Sequence, residues 1–184
     1  MRTLREELKI DTRMPLTFRD LKIIMQNRVT GLKVNYVDLE EFRGEYSVAN
    51  FFKHNSNASL VLLTALIAGK KQRHWVVILK HTDGTFSFFD SLALGLHNVS
   101  HLLRNPHFPK FLKKIKANIN SKRLQSSHQD VATCGLHCVC RLLKHDLKNN
   151  EYNHWILSIR NQNPDEIVVW LTYIGHITVN MKRK

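Results

Sequence analysis

The chain is poor in cysteine, poor in acid and without a long apolar run, and each shortage removes a class of protein. Three cysteines, an odd number with no Cys-x-x-Cys pair, argue against a disulfide framework and against a zinc ribbon. Cys134, Cys138 and Cys140 all fall in one short stretch, which on a helix suits neither a disulfide nor a tetrahedral metal site, so no metal is expected. A reducing compartment is the expected setting. The longest apolar run, Ala58 to Ala68, is interrupted by Ser59 and Thr64 and is too short to span a bilayer. The opening MRTLREELKI lacks the apolar core that a signal peptide needs, so a soluble, non-secreted protein is expected. No repeat, low-complexity tract or linker divides the chain. One domain over residues 1–184 is expected, with residues 1–14, charged and aperiodic, as a loosely held leader.

What remains is a globular composition with a strong bias of charge. Hydrophobic residues make up 43% of the chain, enough for a real core in 184 residues. Lysine and arginine number 28 against 15 acids, a net charge of +13 that favours an anionic partner such as nucleic acid. The basic excess is densest in RNPHFPKFLKKIKANIN, an amphipathic segment with Phe108, Phe111, Leu112 and Ile115 on its apolar side. Lys110, Lys113, Lys114 and Lys116, with Lys122 and Arg123 further on, are the candidates for a DNA or RNA contact; a merely solvated helix face is the plainer reading.

Periodicity places the main elements. Leu16, Leu21, Ile24 and Met25 have helical spacing, Thr17 and Asp20 can cap that helix, and Gly31 is expected to end it. Residues 45–57 read as loop and Leu60 to Ile67 as a buried strand. HWVVILKH and TFSFFDSL form a hairpin across Thr82-Asp83-Gly84. The length of that turn has a consequence. A two-residue loop sets Asp90 opposite Val77, on the other face from His74. A three-residue loop with Gly84 left-handed sets it opposite Val76, so that His74 and Asp90 share a face as diagonal neighbours; this is the expected turn. Lys122 to Gln125 is expected as a strand, Cys134 to open a helix, and Asn163-Pro164-Asp165-Glu166 to start another that continues from Ile167 to Ile174 before a frayed basic tail.

The stretch LQSSHQDVATCGLHCVCRLLKH carries the chemistry. A cysteine at a helix start meets unpaired N–H groups and the positive end of the helix dipole, both of which favour thiolate. Gly135 is expected to leave room beside the sulfur, Cys138 and Cys140 to pack the helix, and His137 to be exposed or to stand behind the site. Asp130 has two readings, capping the turn or holding His128. A nucleophilic cysteine also needs a base, and the base an orienting partner. His74, Asp90 and Cys134 supply these in the order His, Asp, Cys; His154 with Trp155 and Asn161, after the cysteine, is the alternative set.

His74-Trp75, Asp90-Ser91 sixteen residues after that histidine, and Gln125…Cys134-Gly135, taken in order, resemble the adenain/ubiquitin-like-protease (Ulp) superfamily of cysteine proteases. The Leu-Gln-Ser opening, Cys138 and the looser LTFRDLK…GLKVNYVDL are most similar to its viral maturation branch of adenovirus, virophage and Maverick/Polinton proteases. The resemblance runs from about Leu16 to Leu143. It implies an α+β, papain-related fold: a central mixed, mostly antiparallel sheet flanked by helices, with the nucleophile at the N-terminus of a central helix. It also implies that Cys134 attacks, that His74 is base and then acid, and that Asp90 orients it. The oxyanion hole would be the Cys134 N–H with Gln125, nine residues before the cysteine, or alternatively Gln129, five before it. Trp75 would lie near bound substrate or fill the core. The implied activity is endoproteolysis of capsid or other virion precursors after Gly-Gly or Gly-X pairs, in the virion or the infected cell, with DNA or a peptide as a potential activator. Removal of ubiquitin-like tags and a non-enzymatic nucleic-acid-binding role are the alternatives.

Overall fold

The structure is a computed structural model and describes residues 13, 15–26, 29, 31–42, 45–67, 69–128, 130–159 and 163–183, without the side chains of 174–183. The expected leader, apart from Arg13, which is exposed, and Gln129 therefore lie outside the described residues. Helix α1 (Phe18–Met25) starts at the capping box foreseen for Thr17 and Asp20 but stops at Gln26, well before Gly31. Strand β1 (Val34–Asp38) follows. A short helix α2 (Val48–Phe51) and a 3₁₀ turn (Lys53–Asn55) occupy the stretch expected to be loop. Ser47 and Asn50 form a second capping box there, a signal that was readable but overlooked.

Strands β2 (Ala58–Ile67) and β3 (Lys70–Lys80) form a long antiparallel hairpin, with Gly69 at φ +76° in its turn. Strand β4 (Phe86–Phe89) pairs with β3, Val77 opposite Phe89 and Lys80 opposite Phe86. The loop is the three-residue one: His81 N–H donates to the Thr85 carbonyl at 2.8 Å and Gly84 has φ +79°. Helices α3 (Gly95–Leu103) and α4 (His107–Lys114) divide the basic segment at Arg104, which adopts a left-handed conformation. The strand expected at 122–125 is absent. A two-residue β5 (Asn118–Ile119) pairs instead, parallel to β4. Helices α5 (Cys134–Leu143), α6 (Asn149–Ser158) and α7 (Pro164–Arg183) complete the chain, and α7 runs on through the tail expected to fray.

The architecture is α+β, a mixed five-stranded sheet in the order β1-β2-β3-β4-β5 with helices on both faces. The antiparallel pairings are central and long, while both edge pairings are parallel. Alternation divides the core. Leu60, Leu62, Trp75, Val77, Leu79 and Phe89 pack against α1, α5, α6 and α7. Val61, Leu63, Val76, Ile78 and Phe88 pack against α2, α3 and α4. Among the described residues no helix is long and apolar enough to cross a membrane.

A Cβ at Gly84 would meet nothing within 4 Å, so substitution there isolates backbone strain. Gly84→Ala is expected to lose about 1 kcal/mol in urea unfolding, and Gly84→Asn clearly less, because Asn tolerates the left-handed region. Equal losses would mean that the turn's backbone angle does not set its cost.

Candidate active site

The sheet has a notch. Strand β3 continues to Lys70, but β4 ends opposite Val77, so beyond that point one edge of β3 has no strand beside it among the described residues. His74 lies on this overhang, on the same face as Val76. Asp90 follows directly after β4, on the face of Phe88. Helix α5 packs on the opposite face, and its first residue, Cys134, reaches the notch. The imidazole and carboxylate thus arrive from one side of the sheet and the sulfur from the other.

Their contacts form a chain. His74 Nε2 is 2.6 Å from Asp90 Oδ1, and the ring and the Cys134 sulfur lie near enough for each to shift the other's protonation. Asp90 is 1% exposed, yet its carboxylate also accepts the Leu92 N–H at 2.9 Å and the Leu94 N–H at 3.0 Å. Asn120 holds the Asp90 backbone as a strand would, accepting its N–H at 2.7 Å and donating to its carbonyl at 2.8 Å. Burial favours the neutral form of each group, but the mutual interactions outweigh it. At Asp90 the hydrogen bond and charge of His74, with the two loop N–H groups, depress the pKa. At His74 the bonds and charges of Asp90 and Cys134 raise it well above the ordinary imidazole value. At Cys134 the His74 bond and charge, with N–H groups of Trp75 and Gly135, depress it. This favours a thiolate–imidazolium pair. Cys138 is the contrast: buried, and pushed well above the usual thiol range by burial and neighbouring negative charge.

Gln125 is held from both ends. Ser91 Oγ donates to its Oε1 at 2.8 Å, and its Nε2 approaches the Val131 carbonyl at 3.4 Å. The Ser91 carbonyl accepts the N–H groups of both Leu124 and Gln125 at 2.9 Å. The Val131 carbonyl, which can only accept, fixes which end of the amide is the donor. Gln125, His74 and Cys134 all line one cleft of about 1320 Å³. Cys134 is half-buried and His74 is 15% exposed, so both are reachable from it.

Other expectations sort plainly. Trp75 borders the cleft but is 4% exposed, with its indole N–H donating to the Leu16 carbonyl at 2.9 Å. Gly135 does not clear space for a substrate. It is buried, and a Cβ there would come within 2.9 Å of Leu21 and 3.3 Å of Trp75, so its small size lets α1 and β3 close on α5. His137 is not exposed but fully buried, 3.0 Å from Asp165. The Asp130 N–H approaches His128 Nδ1 at 3.4 Å, outside the cluster. His154 is exposed on α6 and Trp155 packs beside Tyr152, away from Cys134, while Asn161 is outside the described residues. Lys110, Lys113, Lys114, Lys116, Lys122 and Arg123 are exposed, and the Arg123 Nε donates to the Leu92 carbonyl at 3.2 Å. Among the described residues no group of three or more His, Cys, Asp or Glu side chains is arranged to hold a metal. Ser91, Asn120 and Asp165 were missed as contributors. Ser91 stood in a quoted motif without a role, and the partners of Asn120 and Asp165 lie too far along the chain for local pattern to reveal.

Iodoacetamide labelling of Cys134 is expected to show its midpoint below the free-thiol value of about 8.5. In Asp90→Asn the charge that raises the His74 pKa is gone, so the imidazolium is lost at lower pH and the Cys134 midpoint moves up; in His74→Ala it moves toward the free value. Mass-spectrometric rates against pH measure this, and an unchanged midpoint in both variants would contradict the coupling. Cys138 and Cys140 stay unlabelled in the folded protein.

No family model matches the chain. Among curated proteins it is similar to the uncharacterized protein V9 of Sputnik virophage, 27% identical over 128 residues, covering 57% of this chain and 69% of that protein.

Proposed function

We propose that this protein is a cysteine endopeptidase of the adenain/Ulp type that trims virion precursor proteins. The observation that carries the reading is the His74–Asp90 bond at 2.6 Å with His74 and Cys134 lining the same accessible cleft. In the proposed reaction the Cys134 thiolate adds to the scissile carbonyl carbon. The resulting oxyanion takes hydrogen bonds from the Cys134 N–H and Gln125 Nε2. His74 gives its proton to the leaving amine as the C–N bond breaks, leaving a thioester. It then takes a proton from water, whose oxygen displaces the sulfur to release the acid.

The notch supports a polypeptide substrate in particular. Lys80 N–H donates toward Asn57 beside β2, whereas His81 N–H donates toward Thr85 on the β4 side. By alternation Arg73 and Lys71 direct their backbone groups to the open edge, on the same side as Trp75, whose N–H faces Cys134. An extended chain laid there gains main-chain bonds whatever its side chains. The virophage relative fits a viral setting, and specificity for Gly-Gly or Gly-X rests on the motif resemblance alone.

Incubation with virion precursors and, separately, with ubiquitin-like fusions tests the assignment. Cleavage of precursors that Cys134→Ala abolishes is the expected result. Turnover of the fusions alone would make the protein an isopeptidase, and turnover of neither, with slow labelling of Cys134, a non-enzymatic binder. In the same assay Gln125→Ala is expected to lose about 10²–10³ in kcat and Gln129→Ala little. Equal modest losses would refute the Gln125 assignment.

The exposed lysines of α4 lie opposite its buried Phe108, Phe111 and Leu112, and we propose that this face contacts DNA or RNA. Its affinity is expected to fall steeply between 50 and 200 mM salt, roughly tenfold or more where several phosphates are neutralised. Titration of labelled duplex at the two salt concentrations measures it, and a flat response would exclude the contact.

A further inference from the structure

The two proposed oxyanion donors come from different elements, Gln125 from the segment after β5 and the Cys134 N–H from α5, with an eight-residue loop between them. Its middle is exposed at Ser127, His128 and Asp130. At both of its ends the chain reaches the same buried carboxylate. Asp165 Oδ2 accepts the Ser126 N–H at 2.9 Å, directly after Gln125. Asp165 Oδ1 accepts a hydrogen bond from the hydroxyl of Thr133, directly before Cys134. His137, one turn into α5, stands 3.0 Å from the same oxygen. Asp165 is 2% exposed, and Thr133 and His137 are fully buried. Asp165 belongs to the first turn of α7, which packs on α1 and α5, and the Asn163 side chain holds its N–H at 3.0 Å.

We propose that Asp165 is a positioning residue that sets the distance between the two halves of the oxyanion hole. One rigid carboxylate fixes the residue after one donor and the residue before the other, so the spacing of Gln125 Nε2 and the Cys134 N–H follows from its two oxygens rather than from the exposed loop. Burial costs a carboxylate dearly unless it is fully bonded, and here three donors converge on it. Loss of the carboxylate would release both anchors at once. The chemistry gives this role a signature that fold stability alone does not have. Acylation of Cys134 passes through an oxyanion, while alkylation by iodoacetamide is a displacement at saturated carbon and forms none. The proposal rests on the cysteine-hydrolase reading, and the test separates the two.

Full-length protein is acylated with p-nitrophenyl acetate, counting only the burst lost in Cys134→Ala, and alkylated with iodoacetamide at the same pH, with folding checked by circular dichroism. In Asp165→Ala the acylation rate is expected to fall at least tenfold while alkylation stays within about twofold. Thr133→Val, nearly isosteric and lacking only the hydroxyl, is expected to show the same split at about fivefold, and carries the test alone if Asp165→Ala does not fold. Parallel loss of both reactions, or loss of neither, overturns the positioning role. Alkylation of the wild type that His74→Ala leaves unslowed overturns the hydrolase reading itself, and this proposal with it.

Discussion

The site depends on β4 stopping early. A strand running the full length of β3 would occupy the edge from Lys70 to Val76 and close the gap through which α5 reaches His74. Because β4 has four residues and β3 eleven, the sheet supplies His74 and Asp90 from one face while Cys134 comes from the other, and the same gap leaves the β3 edge beyond Trp75 with no strand beside it among the described residues. Asp90 is where the ladder ends, and what ends it is visible. Its carboxylate turns back onto the Leu92 and Leu94 N–H groups, Ala93 takes φ +49°, and the Asn120 side chain replaces the next strand residue. One aspartate therefore terminates the strand, shapes the turn and orients the imidazole.

Such a cluster is costly to bury, and the structure meets the cost by sharing partners. Few polar groups there serve one neighbour alone. Ser91 bonds the Gln125 side chain through its hydroxyl and two backbone N–H groups through its carbonyl. A buried donor or acceptor left unmatched costs about 1–3 kcal/mol, so removing one member disturbs several bonds at once. This arrangement favours one geometry over nearby alternatives. Bonding at the ends of the loop from Gln125 to Cys134 and openness at the β3 edge then coexist, because the first comes from side chains and the second from a stretch with no strand beside it among the described residues.

Much of the site was legible because its motifs are local and its register is arithmetic. Asp83-Gly84 with a three-residue turn fixes which face Asp90 occupies, and period-two alternation then places it near His74 without any tertiary knowledge. The capping box at Thr17 and the helix opening at Cys134 are also short-range signals. What escaped was decided by packing. Nothing near Gly135 in the sequence reveals Leu21, and nothing near His137 reveals Asp165, whose Asn-Pro-Asp-Glu context is fully explained as a helix start. Strand β5 was misplaced because two residues pairing in parallel with a short strand leave no period to read, and Lys122–Gln125, with the single apolar residue Leu124, has none either. The α1 boundary moved because glycine is only one way to stop a helix.

The charge of the molecule and the charge of the site pull in different directions. A net charge of +13 favours an anion at Cys134 but disfavours a proton on His74. In salt of physiological strength exposed charges are screened over roughly 8 Å, so most of that surplus is weak at the cleft. Asp90, at 2.6 Å and 1% exposed, is screened far less. The local groups, Asp90 foremost, therefore outweigh the surface lysines in the protonation of the pair. A basic exterior and a site that favours a thiolate–imidazolium pair are compatible here because the buried carboxylate and the sulfur together raise the His74 pKa.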